Sequence, residues 1–419
     1  MNHRRLRAQK NWLCFSVIVV AAAVTPIALA PAHATAREIG PDADLCGEIR
    51  AVPPGEALVL APGDYQGPCA IRRGGDPGAP LVIRAADPTR RPRIVYAGRA
   101  SNVFEVRASH VTIRGLEFGP TLQDVDAVRI FGGTAVTVED CHFNQLGGIA
   151  VVANHSSVRG LVVRRNVIRS STATGMYFGC HDGAGCVVSG LVVEGNFIDG
   201  TAAPDPEIGY GIQFKLNSSG IIRGNVVMNS KGPGIMVYGS RHGSDGSVVE
   251  RNVTIGSQRS SGIVVGGGPA IARNNIAASN ALAGIEILDY RNRGLLRTIL
   301  VANNTVYGNR AGGITAPETG LSAVTIVNNA AGANAGTRPY PSQQAGVRVV
   351  GNVDCVDVPC FANPERRDFS PGVGSRLKGA GVSVKEAWMP REDFFAVHRG
   401  HPLSAGAIER PSGPLVLVP

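Results

Sequence analysis

Val162-Val163-Arg164-Arg165-Asn166 opens a series of short alternating segments that end in asparagine. Six more follow: VVEGN to Asn196, IIRGN to Asn225, VVERN to Asn252, IARNN to Asn275, LVANN to Asn304 and TIVNN to Asn329. Two earlier segments fit the same register with other residues in the slot, TVEDC at Cys141 and TIRGL at Leu116. Successive slots lie 23 to 30 residues apart, which suits one coil of a parallel β-solenoid whose turns bury their apolar faces on one another. Stacked strands sit ~4.8 Å apart, so each slot asparagine falls over the next and their amides can bond as a ladder. Helical repeats have similar periods, but these segments are Val/Ile-rich and alternate with period two. The fold expected is an all-β, right-handed parallel β-helix of ten or so coils.

A second repeat precedes most ladder strands: a glycine followed by alternating residues. It begins at Gly148, Gly175, Gly211, Gly234, Gly262, Gly284 and Gly313. Side chains alternate along a strand, so the first and third residues after each glycine point inward and the second and fourth outward. The outward set is Tyr177, Gln213, Lys215, Met236, Tyr238, Val264, Glu286 and Leu288. It forms the only mixed polar and aromatic strip, and groove chemistry is expected there.

Residues 1–34 read as a secretory signal. Arg4, Arg5, Arg7 and Lys10 precede an apolar run from Trp12 to Ala30, and Ala32-His33-Ala34 offers a cleavage site. Removing four basic residues and no acidic ones lowers the net charge from +9 to +5. That suits an acidic polymer partner without demanding one, and no basic run interleaved with aromatics points to nucleic acid. The expectation is a secreted or periplasmic monomer that does not stay in the membrane after cleavage. Close cysteine pairs suggest local bridges, Cys46 with Cys69, Cys180 with Cys186 and Cys355 with Cys360, with Cys141 left as a buried thiol. Histidines at metal-ligand spacing are lacking, so zinc is not expected. The organisation read from the chain is a cap over 35–80, a solenoid over 81–353 and a Pro/Gly-rich tail over 354–419 that caps the last coil. Coil insertions at Cys180–Gly185, Thr201–Glu207 and Arg241–Gly246 are expected to wall a cleft beside the outward strip.

Lys215 is the candidate that stands out. The chain holds five lysines against 36 arginines, and this one occupies an outward position in mid-stack. Tyr238 takes the matching slot one coil later, ~5 Å away, with Arg241 and His242 just beyond it. On the preceding coil Tyr177 faces out, and His181 and Asp182 sit in the Cys180–Cys186 loop. Each alone has an ordinary reading: a solvated lysine, tyrosines covering a sheet, histidines in loops. Their convergence is what points to a site.

Export signal, cap and asparagine-marked coils together resemble the right-handed parallel β-helix polysaccharide lyases, and in particular polysaccharide lyase family six, which includes chondroitinase B and alginate lyases. The opening LVLAPGDYQGPCAI…APLVIRAAD…SHVTIRGLEF is similar to the way those chains begin. The family's Ile-Ser-x-Lys strand is matched by Ile212-Gln213-Phe214-Lys215, and its Arg-His-Gly motif by Arg241-His242-Gly243. The resemblance implies Lys215 as base and Arg241 as its catalytic partner. Two departures stand beside it. The acidic residue that helps hold calcium in many members is replaced by the Tyr210 and Gln213 neighbourhood, which puts calcium in doubt. Arg241 also lies three residues past the strand slot that Tyr238 fills, so either the loop returns it to the cleft or Tyr238 shares its role.

β-Elimination across a uronic acid needs the carboxylate neutralised, the C5 proton removed and the leaving oxygen protonated. Arg241, or Gln213 and Arg129 on nearby coils, would pair the carboxylate; Lys215 would act as base, and Tyr238 or Tyr177 as acid. Lys215 would have to be neutral, a drop of ~2–3 units from its reference value near ~10.4. Tyr177, Gln213, His181, His242, Arg129 and Glu286 are the expected substrate-binding residues. Three other readings share the fold. A glycoside hydrolase needs two close carboxylates, yet the strip offers Glu286, three rungs or ~14 Å from Lys215, with Asp289 at its end. A uronate C5-epimerase shares the proton-abstraction step. A non-catalytic carbohydrate-binding solenoid would bind polymer and release no product.

Overall fold

The computed structural model describes residues 35–181, 185–202, 209–241, 246–290, 292–336, 338–356, 359–386 and 388–419. The expected signal at 1–34, His242, Asp182 and most of the three coil insertions therefore lie outside the described residues. The chain winds into a right-handed parallel β-helix of about twelve turns, slightly more than the ten or so counted from the repeats. Its turns build three parallel sheets of fifteen, twelve and ten strands. One coil runs through Val162–Arg164 in the first sheet, Val167–Ser171 in the second and Met176–Phe178 in the third, then re-enters the first at Val188–Glu194.

The asparagine slot is the corner between the first and second sheets, and its chemistry explains the repeated dipeptide. The residue before each slot has left-handed backbone: Arg165, Gly195, Gly224, Arg251, Asn274, Asn303, Asn328 and Gly351 all have φ between 52° and 65°. Glycine and asparagine enter that region at least cost, which is why GN and NN recur. The sharp corner turns the following asparagine inward. From Asn166 to Asn329 each Nδ2 donates to the next Oδ1 at 2.8–3.0 Å, and the ladder continues to Asn352. Each Oδ1 also accepts the preceding slot's backbone N–H, as at Cys141, whose N–H bonds Asn166 Oδ1 at 3.0 Å. The Cys141 thiol is fully buried, and burial pushes its pKa up to about 12.

A second internal column escaped the sequence reading. Ser171, Thr201, Ser230 and Ser257 stack on the second sheet's far end, and the column continues as Asn280, Asn309 and Asn334 with its own amide ladder at 2.8 Å. The slot changes from hydroxyl to amide halfway along, so no single residue type marks it.

Parallel pairing starts earlier than the expected boundary at 81. Ala36–Ile39 pairs with Ala57–Leu60, which pairs with Leu81–Ala85. The short helix Leu45–Ala51 is tied to the third sheet's Cys69 by the Cys46–Cys69 bridge. Cys180–Cys186 and Cys355–Cys360 are also joined, so all three local pairs form. The tail does more than close the last coil. Phe369, Phe394, Ala407 and Ile408 pack against Val253, Ile276 and Ala278 of the second sheet. Arg399, its side chain 2% exposed, pairs with Glu409 and donates to Asn274 Oδ1 at 2.7 Å. The tail is a strap laid back along several turns. Among the described residues no helix is long and apolar enough to cross a membrane.

Candidate active site

The third sheet holds the outward strip in the expected parity. Tyr177, Gln213, Met236, Val264 and Glu286 are direct neighbours in register, preceded by Glu105, Arg129 and Val152. The Gly148 copy enters two residues late, so Val151 rather than Ile149 faces Met176. Lys215 and Tyr238 sit one residue past their strands yet keep the ladder, with N–H groups donating to Phe178 O at 2.7 Å and Phe214 O at 3.0 Å. Asn217, in left-handed backbone, ties the two turns together: its N–H donates to Gly239 O, and its Oδ1 accepts the Arg241 N–H at 2.9 Å. Gly179 precedes Lys215 in that column with φ of 107°, and a Cβ there would fall 2.7 Å from Lys215 Cβ. The bare glycine makes room for the lysine.

Outward, however, does not mean exposed. Gln213, Met236 and Tyr238 are 3%, 2% and 1% exposed, and Tyr177 and Lys215 are 8% each. A second layer of Tyr210, Leu216 and Leu295, with Leu288 and Tyr290 beside them, packs over Met236, Tyr238 and Val264. Lys215 Nζ lies 4.9 Å from the Tyr238 ring centroid and 5.9 Å from that of Tyr177, so two phenol faces attract its ammonium form. The Tyr238 hydroxyl accepts from Gln213 Nε2 at 3.1 Å and meets the Tyr210 hydroxyl at 3.2 Å. Burial raises its pKa above the ordinary tyrosine value, against the opposing effect of the Tyr210 bond. The Tyr177 hydroxyl lies 3.3 Å from Nδ1 of the exposed His181.

Five of the nine expected residues meet here: Lys215, Tyr238, Tyr177 and Gln213 in contact, and His181 through Tyr177. Arg241 does not join them. Its backbone N–H anchors to Asn217, but its side chain is exposed and makes no hydrogen bond or ring contact among the described residues. Tyr238, not a returning arginine, fills the strand slot. Arg129 stands three rungs before Gln213 and is bound to the buried Asp126, with Nη1 on Asn154 Oδ1 at 3.0 Å and His155 Nε2 at 2.7 Å. Its charge is matched locally, so it is not placed for the carboxylate role. Burial pushes the Asp126 carboxyl up, opposed by Arg129, and lowers His155, with Arg129 and Arg107 adding to the effect. Glu286 sits three rungs beyond Gln213 and accepts from Ser261 Oγ at 2.6 Å, away from the lysine. Among the described residues no group of three or more His, Cys, Asp or Glu is assembled that would hold a metal ion.

A model of the right-handed β-helix region matches residues 126–295 and 183–355, together more than half of the chain. The chain belongs to the right-handed β-helix family. No curated protein sequence matches it. Among solved structures, this β-helix is similar to a pectate lyase, Pel9A, at 15% identity with a TM-score of 0.55, covering 90% of this chain and 97% of that one. It is also similar to a PL6 family alginate lyase, AlyGC in a mutant form, at 14% identity with a TM-score of 0.54, covering 92% of this chain and 59% of that one. At such identities the likeness is one of fold.

Two residues of this β-helix site, Tyr290 and Arg293, were missed in the sequence, and Tyr210 was named there only in place of a calcium-holding acidic residue. Tyr210 precedes its strand, whereas Tyr290 and Arg293 follow the strand Ala283–Ile287, two rungs past Tyr238. Tyr290 meets Tyr238 edge-on at 5.2 Å, and Arg293 Cζ lies 5.1 Å from the Tyr238 ring. They fall outside the repeat's parity, so only a search for aromatic and cationic residues just after strand ends would have found them.

Proposed function

We propose that this β-helix is an exported polysaccharide lyase that cleaves a uronic-acid-containing polymer by β-elimination, with Lys215 as base. The observation that carries the reading is the environment of Lys215. It is an amine in an outward rung position, buried, and flanked by the phenols of the coils before and after it. A purely solvating lysine would extend into water. The folds it resembles belong to proteins named as lyases of pectate and alginate, which favours an acidic glycan over a neutral one. The signal-like N-terminus and the local bridges favour an oxidising destination outside the cytoplasm.

In this reading burial disfavours the charged amine against the pull of the two rings, and neutral Lys215 Nζ takes the C5 proton of the uronate. The electron pair, delocalised onto the carboxylate as an enolate, forms the C4–C5 double bond and expels the C4 oxygen. Tyr177 is the better proton donor to that oxygen, because its hydroxyl is linked through His181 to solvent and is restored from there. Tyr238, protonated and nearly sealed, instead orients Lys215 and Gln213. No metal enters this scheme, and a chelator arm in the assay tests that choice.

The experiment is a screen of alginate, pectate, glycosaminoglycans and glucuronate-rich polymers for new ultraviolet-absorbing unsaturated ends, with and without chelator. Lys215→Ala is expected to lower the rate by ~10²–10⁴-fold on the responsive polymer. Full activity in that variant would remove Lys215 from the mechanism. Unchanged chain length with inverted C5 would instead identify an epimerase.

A further inference from the structure

We propose that Arg293 is the carboxylate-recognising residue of the Lys215 site, in place of the Arg241 that the motif suggested. The inference rests on the lyase reading and adds to it the group that neutralises the sugar acid. Three observations lead there. First, Arg293 Nη1 is buried and has no hydrogen-bond partner among the described residues. A guanidinium N–H removed from water and left without an acceptor is rare and costly, so such groups point to a strained or ligand-receiving position. Second, the guanidinium stands against the ring that Lys215 also faces: Cζ is 5.1 Å and Lys215 Nζ 4.9 Å from the Tyr238 centroid. The two cations therefore lie no more than about 10 Å apart, a ceiling that a uronate with its carboxylate on the guanidinium and its C5–H toward the amine fits under. Third, the Arg293 guanidinium is not directly paired. It makes no ion pair among the described residues, and the nearby carboxylate of Asp289 is engaged with backbone, accepting from Arg293 N at 2.7 Å and Gly294 N at 2.5 Å.

That last arrangement also fixes where Arg293 stands. Asp289 closes the turn, and Leu295 and Leu296 behind it are buried, so the arginine is held from both sides while its side chain stays half-buried. The alternatives are poorer receptors: Arg129 is matched by Asp126, and Arg241 is exposed with no side-chain contact among the described residues. A carboxylate pairing with the accessible edge of the half-buried Arg293 guanidinium would draw the sugar's acidic end toward Tyr238, leaving its C5 proton toward Lys215.

Binding is the test, measured apart from turnover in full-length protein carrying Lys215→Ala. The probes are polygalacturonate and alginate, each native and with its carboxylates reduced to hydroxymethyl groups, followed by affinity electrophoresis. Adding Arg293→Gln is expected to weaken binding of the better native polymer by ~10-fold or more, to the level of its reduced form. Arg293→Lys should recover only part of the loss, since it keeps charge without the two-pronged geometry. Arg241→Gln should stay within about twofold of its parent. Unaltered melting of each variant confirms that the fold is intact, and Arg293→Lys serves where Arg293→Gln does not fold. Arg293→Gln binding as tightly as its parent, or Arg241→Gln taking the loss instead, overturns the assignment while the Lys215 result stands on its own. Equal binding of native and reduced polymers by the parent overturns both.

Discussion

Asn252 shows how much one buried side chain carries in this fold. Its Nδ2 donates to Ile222 O at 2.9 Å and to Asn275 Oδ1 at 3.0 Å, while its Oδ1 accepts both the N–H and the Nδ2 of Asn225. Asn252→Ala leaves those donors and acceptors sealed without partners, each at ~1–3 kcal/mol. A loss of about 3 kcal/mol is expected, read as a lower midpoint in urea with the slope unchanged. Asn352 sits at the half-exposed end of the ladder, where water can replace it, so Asn352→Ala should cost less than half as much. Equal losses would mean that the ladder does not depend on depth. The ladder asparagines were legible because a fixed residue recurs at a fixed corner. The hydroxyl-to-amide column from Ser171 to Asn334 was not, because depth at that corner selects small polar groups of either kind.

At the scale of the strand, the site depends on what two neighbouring rungs leave empty. Gly179 is the clearest case: left-handed backbone, and a Cβ that would meet Ser218 Oγ at 2.2 Å and Lys215 Cβ at 2.7 Å. Gly179→Ala should displace Lys215 and cut kcat on the responsive polymer by ~10-fold or more while leaving KM within a few-fold. A fall in stability with normal turnover of the folded fraction would show that the glycine serves the turn alone. Parity along these strands was readable, and Tyr177, Gln213, Lys215 and Tyr238 all share the outward face. Burial was not. Parity is a local property of alternating bonds, whereas the cover over Tyr238 is made by Tyr210 and, some eighty residues on, by Tyr290 and Leu295, all outside the repeat.

Over the whole molecule, stability is expected to be distributed along the stack, since each turn contacts its neighbours. The tail is the exception, binding turns that are far apart in sequence. Arg399 joins Glu409, Asn274 and the carbonyl of Gly406 in a pocket where both charges are almost fully buried. Arg399→Met leaves Glu409 without its partner and should cost ~3–5 kcal/mol, whereas Arg399→Met with Glu409→Leu should recover much of it. Limited proteolysis should release the tail of the single variant first. A single variant as resistant as the parent would show that the strap is held by its apolar contacts. The Pro/Gly-rich composition indicated an irregular segment, yet gave no hint of the surface it would cover.

The sequence by itself determined the coil: period, corner residues, parity and the three close cysteine pairs all follow from interactions within one turn or between adjacent turns. It also put Lys215 and Tyr238 side by side, since residues at equivalent positions of successive rungs must stack. Tertiary structure alone decided that this pair is roofed over, that Arg293 stands against the Tyr238 ring while Arg241 stays exposed, and that the tail runs back along the stack. Those outcomes depend on loops and termini whose positions are set by shape and burial across many turns, and no repeat encodes them.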